Sequence, residues 1–116
     1  MKITLLGTGS SGGVPLITGD WGACDPKNPK NKRLRACVLI EFKNGKNLLI
    51  DASPDLRQQL LSAKVDRIDA ILLTHAHADH IGGLDELRQI FVKHKKIIPV
   101  YGLAETLKEV KTMYRY

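Results

Sequence analysis

Three histidines and an aspartate fall within six residues, His75-Ala76-His77-Ala78-Asp79-His80. Neutral imidazole is the commonest metal ligand, and a mixed nitrogen and oxygen donor set suits zinc and related divalent ions. His75 and His77 lie two apart, so along an extended segment both side chains leave on one face and can share an ion. Asp79 and His80 follow where the chain turns, within reach of a second ion beside the first. Paired ions are a device for hydrolysing phosphate and acyl compounds. The plainer reading is a solvated polar loop. Against it, the chain has only four histidines, His75, His77, His80 and His94, and three of them crowd here.

The elements around this cluster must deliver it. The apolar run Ala70-Ile71-Leu72-Leu73 directly precedes it, and a buried strand over 69 to 73 would carry the ligands at its end. Lys2 to Leu6 reads as a first strand, closed by the glycine-rich stretch Gly7-Thr8-Gly9-Ser10-Ser11-Gly12-Gly13-Val14-Pro15. That stretch is not a nucleotide P-loop, because no Gly-Lys-Ser/Thr follows. Ala36 to Phe42 and Asn47 to Asp51 read as two strands. Asn44-Gly45 between them signals a hairpin, since both residues tolerate positive φ. A helix is expected from Ser53, with Ser53 as N-cap, Pro54 in the first position, Asp55 favouring the positive end of the dipole, and Leu56, Leu60 and Ala63 as its apolar face. Gly83 to Lys93 should form the next helix, with Leu84, Leu87 and Phe91 aligned. Ile97 to Tyr101 reads as a strand, and Leu103 to Tyr114 as a helix with Leu103, Leu107, Val110 and Tyr114 in register.

Composition frames the rest. The chain has 116 residues, 43% hydrophobic and 26% charged, enough for one domain with its own core. No apolar stretch approaches the roughly 20 residues of a membrane span, and Met1-Lys2-Ile3 runs into a strand without a signal-peptide pattern. A cytoplasmic location without membrane contact is the default expectation. Cys24 and Cys37 do not form a CxxC pair, and that setting favours free thiols. Cys37 heads an apolar strand and reads as a buried small hydrophobe. The net charge is +6, and five basic groups sit in Lys27-Asn28-Pro29-Lys30-Asn31-Lys32-Arg33-Leu34-Arg35. Such a run could steer an anionic substrate, but charge runs usually just face water, and the absence of interleaved aromatics argues against single-strand stacking.

Thr74 to His80, followed by Ile81-Gly82-Gly83-Leu84, resembles the metallo-β-lactamase superfamily with its HxHxDH signature. Three flanking segments narrow the resemblance: Gly7 to Pro15, Leu48-Leu49-Ile50-Asp51-Ala52-Ser53-Pro54-Asp55-Leu56-Arg57, and Leu84-Asp85-Glu86-Leu87-Arg88. Together they are similar to the cyclic-phosphate phosphodiesterase branch, related to the phosphonate-breakdown enzyme and more loosely to the tRNA 3′-processing endonucleases. The resemblance covers essentially the whole chain.

It implies an α/β fold, the N-terminal part of a metallo-β-lactamase αββα sandwich with a mixed sheet and flanking helices, as a single domain over 1–116. It implies metal-dependent hydrolysis, foremost of a cyclic phosphate or related phosphodiester, with RNA a lesser alternative. His75 and His77 would hold the first ion, and Asp79 and His80 the second. Zinc is the first expectation, manganese or iron the alternatives. Asp79 would also act in catalysis by steering the attacking water. Asp51, at a strand end, would orient ligand histidines, where the plain alternative is a loop or capping carboxylate. The glycine-rich stretch would line the mouth of the site, where the plain alternative is a flexible turn. Relatives often carry a cysteine cluster for a structural zinc near Cys24, but Trp21-Gly22-Ala23-Cys24-Asp25-Pro26 keeps one cysteine, so no structural zinc is expected.

The family's further ligands are a histidine, a bridging aspartate and a last histidine. After His94, which itself reads as the polar end of a helix, the sequence has no histidine to match them. The expectation is a truncated domain with half a metal site, weakly or partly occupied. Its activity alone is open, and its exposed sheet would pair with a second copy or with a complementing C-terminal half. Two further classes remain: hydrolysis of an ester, thioester or lactam by the same site, and a non-catalytic remnant or assembly subunit. The substrate-binding residues and the general acid are not identifiable from sequence.

Overall fold

The computed structural model describes residues 1–116. Five strands form one mixed sheet in the order β1-β2-β3-β4-β5: β1 Lys2–Gly7, β2 Cys37–Glu41, β3 Asn47–Ile50, β4 Ala70–Leu72 and β5 Val100–Tyr101. The first two pairings are antiparallel and the last two parallel. Parallel neighbours need crossovers, and helices supply them. Helix α1 (Leu56–Ala63) links β3 to β4, while the short α2 (Ala78–Ile81) and α3 (Leu87–His94) link β4 to β5. Helix α4 (Ala104–Met113) follows β5.

Side-chain alternation divides the sheet into two unlike faces. Leu39, Leu49 and Ile71 stand in register on one face and are fully buried. Leu56 and Leu60 of α1, Ile81 of α2 and Leu87 of α3 close over them, so the core lies between this face and the helices. The opposite face is also apolar. Ile3 pairs with Ile40 and Ile40 with Leu48; Leu5 pairs with Val38, Val38 with Ile50 and Ile50 with Leu72. None of these residues is buried, and Ile3 and Leu5 are 58% and 64% exposed.

Several boundaries differ from the sequence-based expectation, each for a local reason. Helix α1 starts at Leu56, not at Ser53-Pro54, because Ser53 Oγ accepts the Asp55 N–H and its carbonyl accepts the Leu56 N–H, forming a turn ahead of the helix. Asp55 makes no capping bond there; its carboxylate turns to Arg35 instead. Only Gly45 of the hairpin has positive φ, at 78°. The turn is a tight Phe42-to-Gly45 loop in which Asn44 Oδ1 accepts the Lys46 N–H. The helix expected from Gly83 breaks into a 3-10 turn at Leu84–Glu86 followed by α3. The strand expected over 97–101 pairs only at Val100 and Tyr101. In α4, Val110 and Tyr114 pack on the core as anticipated, but Leu103 precedes the helix and is 62% exposed, and Thr106 takes a buried position.

Candidate metal site

The register of the sheet brings the chemistry to one end. Gly7 ends β1 opposite Cys37, Val38 lies beside Ile50 at the end of β3, and Ile50 lies beside Leu72 at the end of β4. The glycine-rich stretch, Asp51 and the His75–His80 segment therefore leave the sheet at the same edge. Ligand sites of open sheets with parallel strands commonly form outside the carboxyl ends of the strands.

Asp51 is 5% exposed and sits at φ 61°. An L-residue other than glycine rarely occupies this region, though aspartate is among those that tolerate it. Its hydrogen bonds account for the strain. Oδ1 accepts the Thr74 N–H at 2.8 Å, and Oδ2 accepts the Thr74 hydroxyl at 2.7 Å. Oδ2 also lies 2.7 Å from His80 Nδ1. An ionised carboxylate can only accept, so the His80 proton lies on Nδ1. The Ala52 N–H donates to the His80 carbonyl and the Gly83 N–H to the Ala52 carbonyl, clamping α2 onto this loop.

The other nitrogen of His80, Nε2, faces Asp79 Oδ2 at 3.2 Å. Two electron-rich atoms at that distance call for a positive centre, a proton or a metal ion. The ring of His75 lies 4.6 Å from that of His77 and 4.0 Å from that of His80, centroid to centroid. The structure thus gathers all four sequence-predicted ligands, with His75 as near to His80 as to His77. No set of three or more His, Cys, Asp or Glu side chains converges on one metal-sized point in this conformation. The donor chemistry suits a divalent ion pair by pair. His94 stands apart at the end of α3, where its Nε2 donates to the Asp66 carbonyl.

Around the site lies a layer of bonds that the sequence did not announce. The Arg35 guanidinium donates twice to Asp55, at 2.9 and 2.7 Å, and its backbone N–H once more at 2.9 Å, which removes one charge from the basic run. That bond holds the Arg35 guanidinium above its ordinary pKa despite partial burial, and the charges of Asp55 and Asp79 add to the effect. Its counterpart is that Asp55 is held below the usual carboxylate range. The buried Gln59 accepts the Ser53 hydroxyl and donates to the Arg35 carbonyl. The glycine-rich stretch is pinned rather than loose. Gly9 N–H donates to the Leu34 carbonyl, Val14 pairs with Arg33, and Arg33 donates to Thr8 Oγ1. Cys37 is buried as expected, its thiol pointing to the Asp51 carbonyl and pushed by burial up to about 12. Cys24 is half-buried, and both cysteines are free.

The sheet, the helices and this edge of clustered ligands define the chain's class. The profile described as the metallo-beta-lactamase superfamily matches residues 31–116, and the chain belongs to that superfamily of metal-dependent hydrolases. Among relatives, it is 43% identical over 116 residues to a protein of Porphyromonas gingivalis named octanoyltransferase, matching all of this chain but 23% of that one. It is 31% identical over 115 residues to ribonuclease Z of Methanococcus maripaludis, covering 96% of this chain and 32% of the relative. Among solved structures, a diphosphatase of the PhnP family superposes with a TM-score of 0.89 at 39% identity, over 98% of this chain and 46% of that one. The chain thus spans from about a quarter to under half of the length of these relatives. No helix is long and apolar enough to cross a membrane.

Proposed function

We propose that the His75–His80 edge forms part of a two-metal hydrolase site for a phosphodiester or related phosphate ester, a cyclic phosphate foremost. His75 and His77 hold one ion, Asp79 and His80 the other, and Asp51 orients His80. The observation that carries this reading is Asp51 Oδ2 on His80 Nδ1, which leaves Nε2 beside Asp79 as a ligand atom. Metal-ligating histidines almost always donate their second ring N–H to such an oxygen. When bound, divalent ions supply a Lewis acid for the phosphoryl oxygens and lower the pKa of water to about 7. The chain's own part is to fix the ligand rings, to place the Asp79 carboxylate beside the nucleophile, and to line the mouth with the pinned Gly7–Pro15 stretch. The phosphate preference is supported by likeness to a protein described as a diphosphatase and to one named ribonuclease Z. Zinc is the favoured metal, and manganese or iron would fit the same donors.

On this reading the 116 residues bring pairs of ligands and not a complete set, so the chain alone binds metal weakly and turns over little substrate. Calorimetric titration with zinc and manganese tests the first point. Weak binding abolished by His77→Ala is expected, and tight binding of two equivalents indifferent to His77→Ala would sink the ligand assignment. Turnover of a chromogenic phosphodiester tests the second. Metal-dependent hydrolysis by the chain alone, lost in Asp79→Ala, would show that the partial-site reading is wrong and that the site is complete.

A further inference from the structure

The hydroxyl of Thr74 stands between two members of the site. Its Oγ1 lies 2.7 Å from Asp51 Oδ2 and 2.9 Å from His75 Nδ1. A hydroxyl has one proton to give, and an ionised carboxylate can only accept. Charge-assisted bonds of this kind are short and about twice as strong as neutral ones, so the hydroxyl proton points to Asp51. What Oγ1 offers His75 is a lone pair, and Nδ1 must then carry the ring proton. The geometry points to Thr74 as a positioning residue that relays the acceptor character of Asp51 to His75 and holds His75 in its Nδ1–H tautomer, with Nε2 free as a ligand atom.

One carboxylate thereby sets two histidines. It does so directly at His80 Nδ1 and through a hydroxyl at His75 Nδ1. The Thr74 N–H on Oδ1 keeps the carboxylate plane from rotating away from either task. A serine could make both side-chain bonds; a valine, of nearly the same shape, could make neither. The relay rests on the proposed reading of His75 as a metal ligand only for its purpose, since the hydrogen bonds themselves join protein groups alone.

Long-range proton–nitrogen correlation spectra of histidine-labelled, metal-free protein at mildly alkaline pH report each ring's tautomer. The expected result is Nδ1–H for both His75 and His80 in the wild type. In Thr74→Val, His75 should lose that preference while His80 keeps it, and Thr74→Ser should restore it. Zinc affinity should fall about tenfold in Thr74→Val, the lower end of what losing an outer hydrogen-bond partner costs a metal site, and recover in Thr74→Ser. Wild-type His75 in the Nε2–H form would overturn the relay on its own, which keeps the test decisive if the valine variant does not fold. So would a folded Thr74→Val whose His75 tautomer is unchanged, even with zinc binding that depends on His77; the metal reading would then survive without the relay. A Thr74-dependent tautomer in a wild-type chain that binds no zinc would uphold the relay and reject the metal reading.

Discussion

At the scale of the residue, Asp51 concentrates more consequence than any of the proposed ligands. It occupies a left-handed backbone position and receives three bonds through two oxygens. Asp51→Asn separates its charge from its shape, because asparagine also tolerates positive φ. Asparagine offers only one acceptor oxygen where Asp51 uses two. The expected outcome is a loss of about 10- to 100-fold in zinc affinity, the range found for partners behind ligating histidines. The stability change should stay at about 1–3 kcal/mol, since an amide nitrogen in place of Oδ2 faces the two groups that bond it, Thr74 Oγ1 and His80 Nδ1. Calorimetry and urea unfolding on the same preparations check the two parts. A stability loss large enough to unfold the chain, with no separable effect on affinity, would make Asp51 a structural residue only.

At the scale of the element, the site depends on how α2 docks against the loop after β3. Gly83 is the tightest point. A Cβ there would lie 2.0 Å from the Ser53 carbonyl oxygen and 2.9 Å from the Leu56 Cβ, both held by α1 and its entry turn. Gly83→Ala should therefore cost about 1–3 kcal/mol or more, the range of overpacking in a closed core, and displace His80 with α2. The ion pairs that tie elements together make a second prediction. Asp55 is held below the ordinary carboxylate range by Arg35, against the opposing effect of burial. At Asp69, desolvation raises the pKa, but bonds from Arg67, the Asn47 N–H and Lys96 outweigh it and hold the group low. A carboxylate depressed in the folded state adds stability that is present above its unfolded pKa of about 4 and is lost as pH falls through the folded value. The urea midpoint should accordingly decline below about pH 4. Asp55→Asn should be less stable at neutral pH and show a shallower acid decline; an unchanged slope would mean that Asp55 is not part of this coupling.

At the scale of the whole molecule, the sheet has one closed face and one open face. Ile3, Leu5, Val38, Ile40, Leu48, Ile50 and Leu72 form a continuous apolar surface with no helix over it. Burying apolar area is worth about 25 cal/mol per Å², and exposed patches of this kind mark association sites. The 116-residue chain produced by itself should self-associate through this face as its concentration rises. Light scattering should show the mass increase, and Ile3→Lys with Leu5→Lys should abolish it without unfolding, because both side chains are already more than half exposed. A monodisperse wild-type monomer over a wide concentration range, with no binding of a hydrophobic dye, would refute the expectation.

The local chemistry of the chain was legible before any fold was known. Spacing put His75 and His77 on one face and Asp79 and His80 at the turn, and the apolar run before them read as the strand that carries them, because ligand type and side-chain periodicity are properties of short segments. The alternation of Leu39 and Leu49 against Val38 and Ile40 likewise follows from pleating alone. What needed tertiary structure were partnerships across long separations. Asp51 and His80 are 29 residues apart, Arg35 and Asp55 are 20 apart, and Gln59 bonds the carbonyl of Arg35 from 24 away. No local pattern encodes them, because they exist only once β3 and β4 pair in register and α2 folds back on the loop between β3 and α1. The start of α1 at Leu56 follows from the turn in which Ser53 takes the Asp55 and Leu56 N–H groups, while the Asp55 carboxylate goes to the distant Arg35 and not to the helix terminus. Thr74 opens the histidine motif in the sequence, but only the sheet places its hydroxyl between a buried carboxylate and a histidine ring.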